Sequence, residues 1–378
     1  MLRYLTAGES HGKANLAILE GMPANLMLSL SDIDRELERR QVGHGRGDRM
    51  SIEKDKVEIL SGVRLGKTLG SPIALMVANR DYENWKKIMP VEGSKNIFQE
   101  PVTELRPGHA DLAGCIKYNQ QDIRNILERA SARSTVALVA VGAIAKKLLK
   151  EFKITVASHV VQIGEVKAEY GPNENFEQLI RLAEKSDVRC ADEKAASNMK
   201  KAIDSAKDNK DAVGGVFEVV ILGCPVGLGS HVHPDRRLSG KLGQAILSIQ
   251  SIKGVEMGLG FKVAGIPASK VHDEIFFENE QFTRNTNNAG GLEGGMTNGQ
   301  PIVIRAAVKP VSTISKPLNS VDLVTKEKIK AHVERADICH VPAAGVIAES
   351  TVAIEIANAF LEKFGGDSIE EIAKHHKA

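Results

Sequence analysis

The longest apolar run in the sequence, Thr135 to Ala145, passes eleven residues without a charge and then meets Lys146-Lys147. It is too short to cross a bilayer, which takes about 20 apolar residues. It reads instead as the start of an apolar helix, Thr135 to Phe152, in a globular protein. A second long helix is expected over Ala343 to Lys363, stopped by Gly365-Gly366. With 378 residues, 42% of them hydrophobic, the chain can bury a large core, and length alone suggests two domains. A net charge of +2 supplies no global field for nucleic acid, and 4% aromatics leave few stacking platforms. Four scattered cysteines without a CxxC pair point to a reducing compartment rather than a zinc ribbon or a disulfide framework. With no signal-type apolar segment at the N-terminus, the expectation is a soluble, cytoplasmic protein.

Between these landmarks the pattern predicts two short strands over Leu16 to Leu30 and a helix opening at Ser31-Asp32-Ile33-Asp34 and closing near Arg40. Strands follow over Val57 to Ala78, Ile154 to Val166, Gly215 to Cys224 and Pro301 to Val308. Helices are expected within Asn173 to Ala206, over Leu238 to Ser251 and over Lys326 to Ala336. Gly66-Lys67-Thr68 ends like a phosphate-binding loop, but Ser61 stands where that pattern needs glycine, so it reads as a turn. His231 and His233 could share a face as a metal pair, yet no third ligand lies nearby in sequence.

Chemistry-bearing residues gather in a few glycine-rich stretches. Gly8 and Gly12 bracket Glu9-Ser10-His11, which suits either a solvated turn or proton transfer beside a ligand. Arg39, Arg40, Arg46 and Arg49 surround a glycine-rich loop. Arg106-Pro107-Gly108-His109-Ala110-Asp111 places His109 at a helix start, with Asp111 as its cap, where anions are favoured. Glu128-Arg129-Ala130-Ser131-Ala132-Arg133-Ser134 feeds the apolar helix. The glycine run from Asn287 to Gly299 can lay backbone against a flat or phosphorylated ligand, or serve as a flexible linker. Lys309-Pro310-Val311-Ser312-Thr313 adds a cation and two hydroxyls, and Arg335-Ala336-Asp337 precedes the last helix. Guanidinium groups hold carboxylates and phosphates by paired hydrogen bonds, so these residues describe an enzyme acting on a poly-anionic metabolite. A phosphotransferase and a basic-loop RNA-binding module are the competing readings.

Taken in order, the strings Gly8 to Gly12, Arg106 to Asp111, Arg129 to Arg133, Gly227 to Arg236, Asn287 to Gly299 and Arg335 to Pro342 resemble the chorismate synthase family over nearly the whole chain, from about residue 3 to 365. Ala336 and Pro234 depart from that family, which usually carries a bulkier residue and often tryptophan there. The resemblance implies an α+β fold, a β-α-β sandwich of two antiparallel sheets enclosing helices. It implies one domain over 1–378, in a homotetramer. The implied reaction is a 1,4-anti elimination of phosphate from 5-enolpyruvylshikimate 3-phosphate, giving chorismate with reduced FMN and no net redox change.

The same resemblance implies His11, His109 and Asp337 as catalytic residues: an acid at the phosphate, a group near flavin N1 and a group near flavin N5. Substrate would meet Ser10, Arg40, Arg46, Arg49, Arg106, Arg133 and Arg335. Flavin would meet Arg129, Ala130, Ser131, Gln250, Ser251, Gly294, Lys309, Pro310, Val311, Ser312, Thr313 and Arg335. The family assigns Arg40 and Arg46 to NADP in members that reduce their own flavin, so NADPH enters as a candidate reductant. Neither a metal, nucleic acid nor a membrane is expected as partner.

Overall fold

The computed structural model describes residues 1–47, 53–93, 100–171 and 175–377. Two antiparallel sheets form its outer layers. The first holds β1 (Arg3–Ala7), β2 (Ala14–Glu20), β3 (Val57–Ile59) and β4 (Ile73–Ala78), in the order β1-β2-β4-β3. The second holds β5 (Thr155–Ile163), β6 (Val166–Lys167), β7 (Gly215–Leu222), β8 (Ile252–Met257) and β9 (Ile302–Val308), in the order β8-β9-β7-β5-β6. In β2 the side chains alternate: Asn15, Ala17 and Leu19 are buried, while Leu16 and Ile18 face out. Period-two burial of this kind turns one sheet face toward the interior.

Helices α1 (Leu30–Gln41), α4 (Thr135–Glu151), α5 (Leu238–Leu247) and α6 (Val341–Phe364) contribute to the core between the sheets, while α2 (Asp111–Tyr118) and α3 (Arg124–Ala130) pack on each other around a smaller apolar cluster of Leu105, Cys115, Ile123, Leu127 and Leu323. The inner helices α4 and α6 pack on each other, α4 against β2 and β4, and α6 against β5 and β7. Apolar on every side, they satisfy their composition only when covered on every side. By length and hydropathy α6 could cross a membrane, but 89% of its apolar window is buried. One apolar cluster, from Leu2 to Ile372, joins both sheets through these helices. The fold is therefore the α+β sandwich with enclosed helices.

Four expectations need correction. Only one strand, β2, occupies the Leu16 to Leu30 region; past Gly21 and Pro23 the chain makes isolated bridges, such as Met27 with Lys67. The cap of α1 is Ser29 rather than Ser31, because Asp32 stands three residues on and returns a bond to the Ser29 amide. Asp111 does not cap α2; it is the helix's first residue, and its carboxylate turns to Arg106 and His109. Residues 326–336 are not helical: Lys328–Lys330 pairs with Asn319–Val321 as a small hairpin. Ile329, Ala331 and Val333 recur at every second position, a strand spacing rather than a helix spacing.

Candidate active site

At one end of the helical layer, the first turns of α4 and α6 and the last turn of α1 border a cavity of about 720 Å³. Thr135, Ala343, Ala344 and Ile347 come from the two helix starts, and Arg40 from the end of α1. Helix N-termini aim unpaired N–H groups outward and favour anions.

The turn after β1 brings His11 to this cavity. Gly8 sits at φ +113, and a Cβ there would lie 2.4 Å from the Ala14 carbonyl oxygen, so only glycine fits. Asn79 ties the turn down by donating to the carbonyls of Glu9 and Gly12. Ser10 N–H donates to the Glu128 carbonyl at 2.9 Å, and its hydroxyl meets that of Ser131 at 3.1 Å. His11 Nδ1 lies 2.6 Å from Glu128 Oε1, and its ring stacks on Trp85 at 3.7 Å between centroids.

His109 stands just before α2. Its Nδ1 contacts the buried Asp111 carboxylate and lies 3.0 Å from Arg106 Nη2. Arg106 Nε donates to Asp111 at 2.8 Å and its Nη1 to Glu334 at 3.0 Å. Burial alone would push the Asp111 carboxyl up; hydrogen bonds from His109 and Arg106 outweigh it and hold it at about 2. Lys309 Nζ donates to the Ser312 hydroxyl, which donates to the Gly108 carbonyl, so the 309–313 segment clasps the His109 turn.

The other cations are held from behind. Arg40 and Arg133 share Asp55, at 2.7 and 2.5 Å, and Arg133 also reaches Asn79 and Glu53. Burial lowers the Arg40 guanidinium to about 10 against the pull of Asp55, with Arg133 adding to the fall. Asp337 accepts from Arg46 Nη1 at 2.6 Å and from the Gly47 amide at 2.7 Å. His340, just ahead of α6, has both ring nitrogens sealed from water without a hydrogen-bond partner among the described residues. Burial pushes it down to about 4, against the pull of Asp337, with Arg46 and Lys309 adding to the fall, so it stays neutral.

The cavity thus collects Ser10, His11, Arg40, Arg46, Arg106, His109, Ala130, Ser131, Arg133, Gln250, Ser251, Lys309, Val311, Ser312, Thr313, Arg335 and Asp337 from the sequence-derived set. Pro310 belongs to the same segment but is not in the cavity wall. Arg129 faces a neighbouring cavity and donates to Thr6 and the Gly8 carbonyl. Gly294 lies elsewhere, beside His231 and Met296, and Arg49 falls outside the described residues. The glycine run is tied into the fold rather than hanging as a flexible linker. Asp273 accepts from Thr286, Asn288 and Ala289, and a Cβ on Gly290 would meet the Gly258 amide nitrogen at 2.3 Å. Its glycines allow backbone to pack on backbone.

Sequence reasoning passed over Trp85, Glu128, His332, Glu334 and His340, and the backing Glu53 and Asp55. Trp85 had one signal, as the sole tryptophan on a long polar stretch. Glu53 and Asp55 had none, since their value lies only in whom they meet.

The family model described as chorismate synthase matches residues 2–361. The chorismate synthase of Syntrophotalea carbinolica is 56% identical over 377 residues, covering 100% of this chain and 97% of that protein. The chorismate synthase of Bacillus subtilis is 55% identical over 379 residues, covering 99% and 97%. A solved crystal structure of a chorismate synthase superposes with a TM-score of 0.80 at 45% identity, covering 100% of this chain and 96% of that one.

Proposed function

The chain belongs to the chorismate synthase family, lyases of the shikimate pathway, and from that premise we propose that its cavity eliminates phosphate from 5-enolpyruvylshikimate 3-phosphate to form chorismate. One observation carries the assignment to this cavity: His11, His109 and Asp337 line one space with five arginines and a lysine, although they are scattered along the chain. The substrate bears roughly four negative charges near neutral pH, and these cations are the groups in the wall that would meet them. Arg40, Arg46, Arg106, Arg133 and Arg335 are the groups to bind it, with Ser10 orienting it.

Reduced FMN is the cofactor of this family, and the residues present fit it. Ala343, Ala344, Ile347 and Ile249 provide an apolar wall for a flat ring. Lys309, Ser312, Thr313 and Arg335 supply donors beside it, and the buried Nε of Arg40 has no partner among the described residues. Ala130, Ser131, Gln250, Ser251 and Val311 complete the set that would hold the cofactor. Its chemistry, when bound, is the loan of an electron while the C–O bond breaks. The protein's part is position, charge and exclusion of water. His11, with Nδ1 held by Glu128, would protonate the departing phosphate through Nε2. His109 would hold a proton at the cofactor's edge, and Asp337 would assist loss of the ring proton.

We also read residues 1–378 as one cytoplasmic domain that assembles as a homotetramer. The outward apolar side chains Leu5, Leu16 and Ile18 on sheet one support self-association. An anaerobic assay with FMN, dithionite and substrate tests the activity. Phosphate release only with reduced flavin is expected. Release without flavin favours another phospho-metabolite enzyme, and none from folded protein favours a binding module; either overturns the reading. Replacing dithionite by NADPH tests self-reduction. His11→Ala and His109→Ala should each slow turnover by roughly 100-fold or more while remaining folded at the assay temperature, with a lowered melting temperature because Glu128 or Asp111 loses a buried partner.

A further inference from the structure

We propose that Glu128 is a positioning residue for His11: its buried carboxylate sets the tautomer and orientation of the imidazole, so that Nε2 is the nitrogen that exchanges protons with the ligand. The proposal rests on the reading of His11 as the acid at the phosphate.

Both carboxylate oxygens of Glu128 are spent on His11. Oε1 lies 2.6 Å from Nδ1, and Oε2 accepts from the His11 backbone N–H at 2.6 Å. The backbone carbonyl of the same residue accepts from Ser10 N–H at 2.9 Å. One residue of α3 thus grips the Ser10-His11 turn at three points. Trp85 covers a face of the imidazole, its plane tilted by 16°, so the ring cannot turn without breaking the stack. The Trp85 indole N–H donates to Asp81 at 3.3 Å, which anchors the stacking partner.

The Glu128 side chain is 2% exposed, and burying a carboxylate is costly unless a cation or several donors meet it. The other deeply buried glutamates among the described residues meet arginine or lysine: Glu349 meets Arg39, Lys146 and Arg189, and Glu53 meets Arg133. Among the described residues, the only ion-pair partner of Glu128 is His11. A carboxylate placed only for stability would be matched by arginine or lysine in the same way. An ionised carboxylate can only accept, so it selects the imidazole with hydrogen on Nδ1 and leaves Nε2 for the ligand.

The test compares wild type, Glu128→Gln and His11→Ala in the anaerobic assay, with [15N]histidine NMR of the wild type. The His11 ring signals are assigned by their loss in His11→Asn. A glutamine offers a single acceptor oxygen where two donors arrive, and its NH2 confronts one of them. Glu128→Gln should therefore lower kcat by roughly 10- to 100-fold, with the substrate KM and the FMN affinity within about two-fold. The wild-type spectrum should show hydrogen on Nδ1 of His11. A proton on Nε2 alone, or wild-type kcat in Glu128→Gln, overturns the proposal. If His11→Ala itself turns over normally, the reading of His11 fails and takes the proposal with it. If His11→Ala is impaired and Glu128→Gln is not, only the proposal fails. Should Glu128→Gln not fold, the wild-type spectrum decides.

Discussion

Each histidine proposed as catalytic leans on a carboxylate that is more deeply buried than itself: His11 on Glu128, His109 on Asp111. The Asp111 pair has a consequence for stability. Its carboxyl is held at about 2, below the ordinary aspartate value of 3.8, so the folded state binds fewer protons than the unfolded state between those values. The stabilisation is complete above about pH 4 and is lost as pH falls toward 2, a loss of roughly 2 kcal/mol. Asp111→Asn should flatten that acid limb. Urea unfolding at several pH values between 5 and 2.5 measures it, and an unchanged slope would exclude the effect. The histidines were legible in the sequence because glycines flank both. Glu128 was not, because nothing in its neighbours distinguishes it from any helical glutamate.

Among the elements, α4 and α6 were the most legible, since long apolar stretches with polar ends leave few alternatives. What their sequences conceal is how closely they cross. Gly142 of α4 meets Ser350 of α6, and a Cβ on the glycine would lie 2.2 Å from the serine Cβ. Helices approach this closely only where a side chain is missing. Gly142→Ala should therefore destabilise the protein by about 1–3 kcal/mol through overpacking, although alanine favours the helix itself. A lower denaturant midpoint at unchanged m-value is the expected result; a gain in stability would mean the crossing can open. Where local signals were weak, elements were misread. Within the 326–336 segment, Lys328–Lys330 pairs with Asn319–Val321, and its two-residue alternation is too short to have settled the element without that partner.

At the scale of the molecule, sheet one keeps one face against α4 and turns Leu5, Leu16 and Ile18 outward, all more than 40% exposed. Leu5 stands opposite Ile18 across β1 and β2, so the apolar side chains adjoin. If this face joins copies of the chain, Ile18→Lys places an unpaired cation in the contact and should shift the assembly to smaller species. Light scattering after size exclusion reads the mass. An unchanged mass would remove this face from the interface.

The sequence by itself determined the positions of the inner helices, the glycine turns that carry Ser10, His11 and His109, and the excess of arginine that calls for an anion. Those features are local: a run of apolar residues, a residue that tolerates positive φ, a charge that must be matched. Only the tertiary structure decided which arginines face the cavity and which carboxylates restrain them, that Trp85 stacks on His11, and that the glycine run lets backbone pack on backbone. Contacts between residues far apart in the chain depend on how layers meet. No spacing along one segment encodes the distance to another.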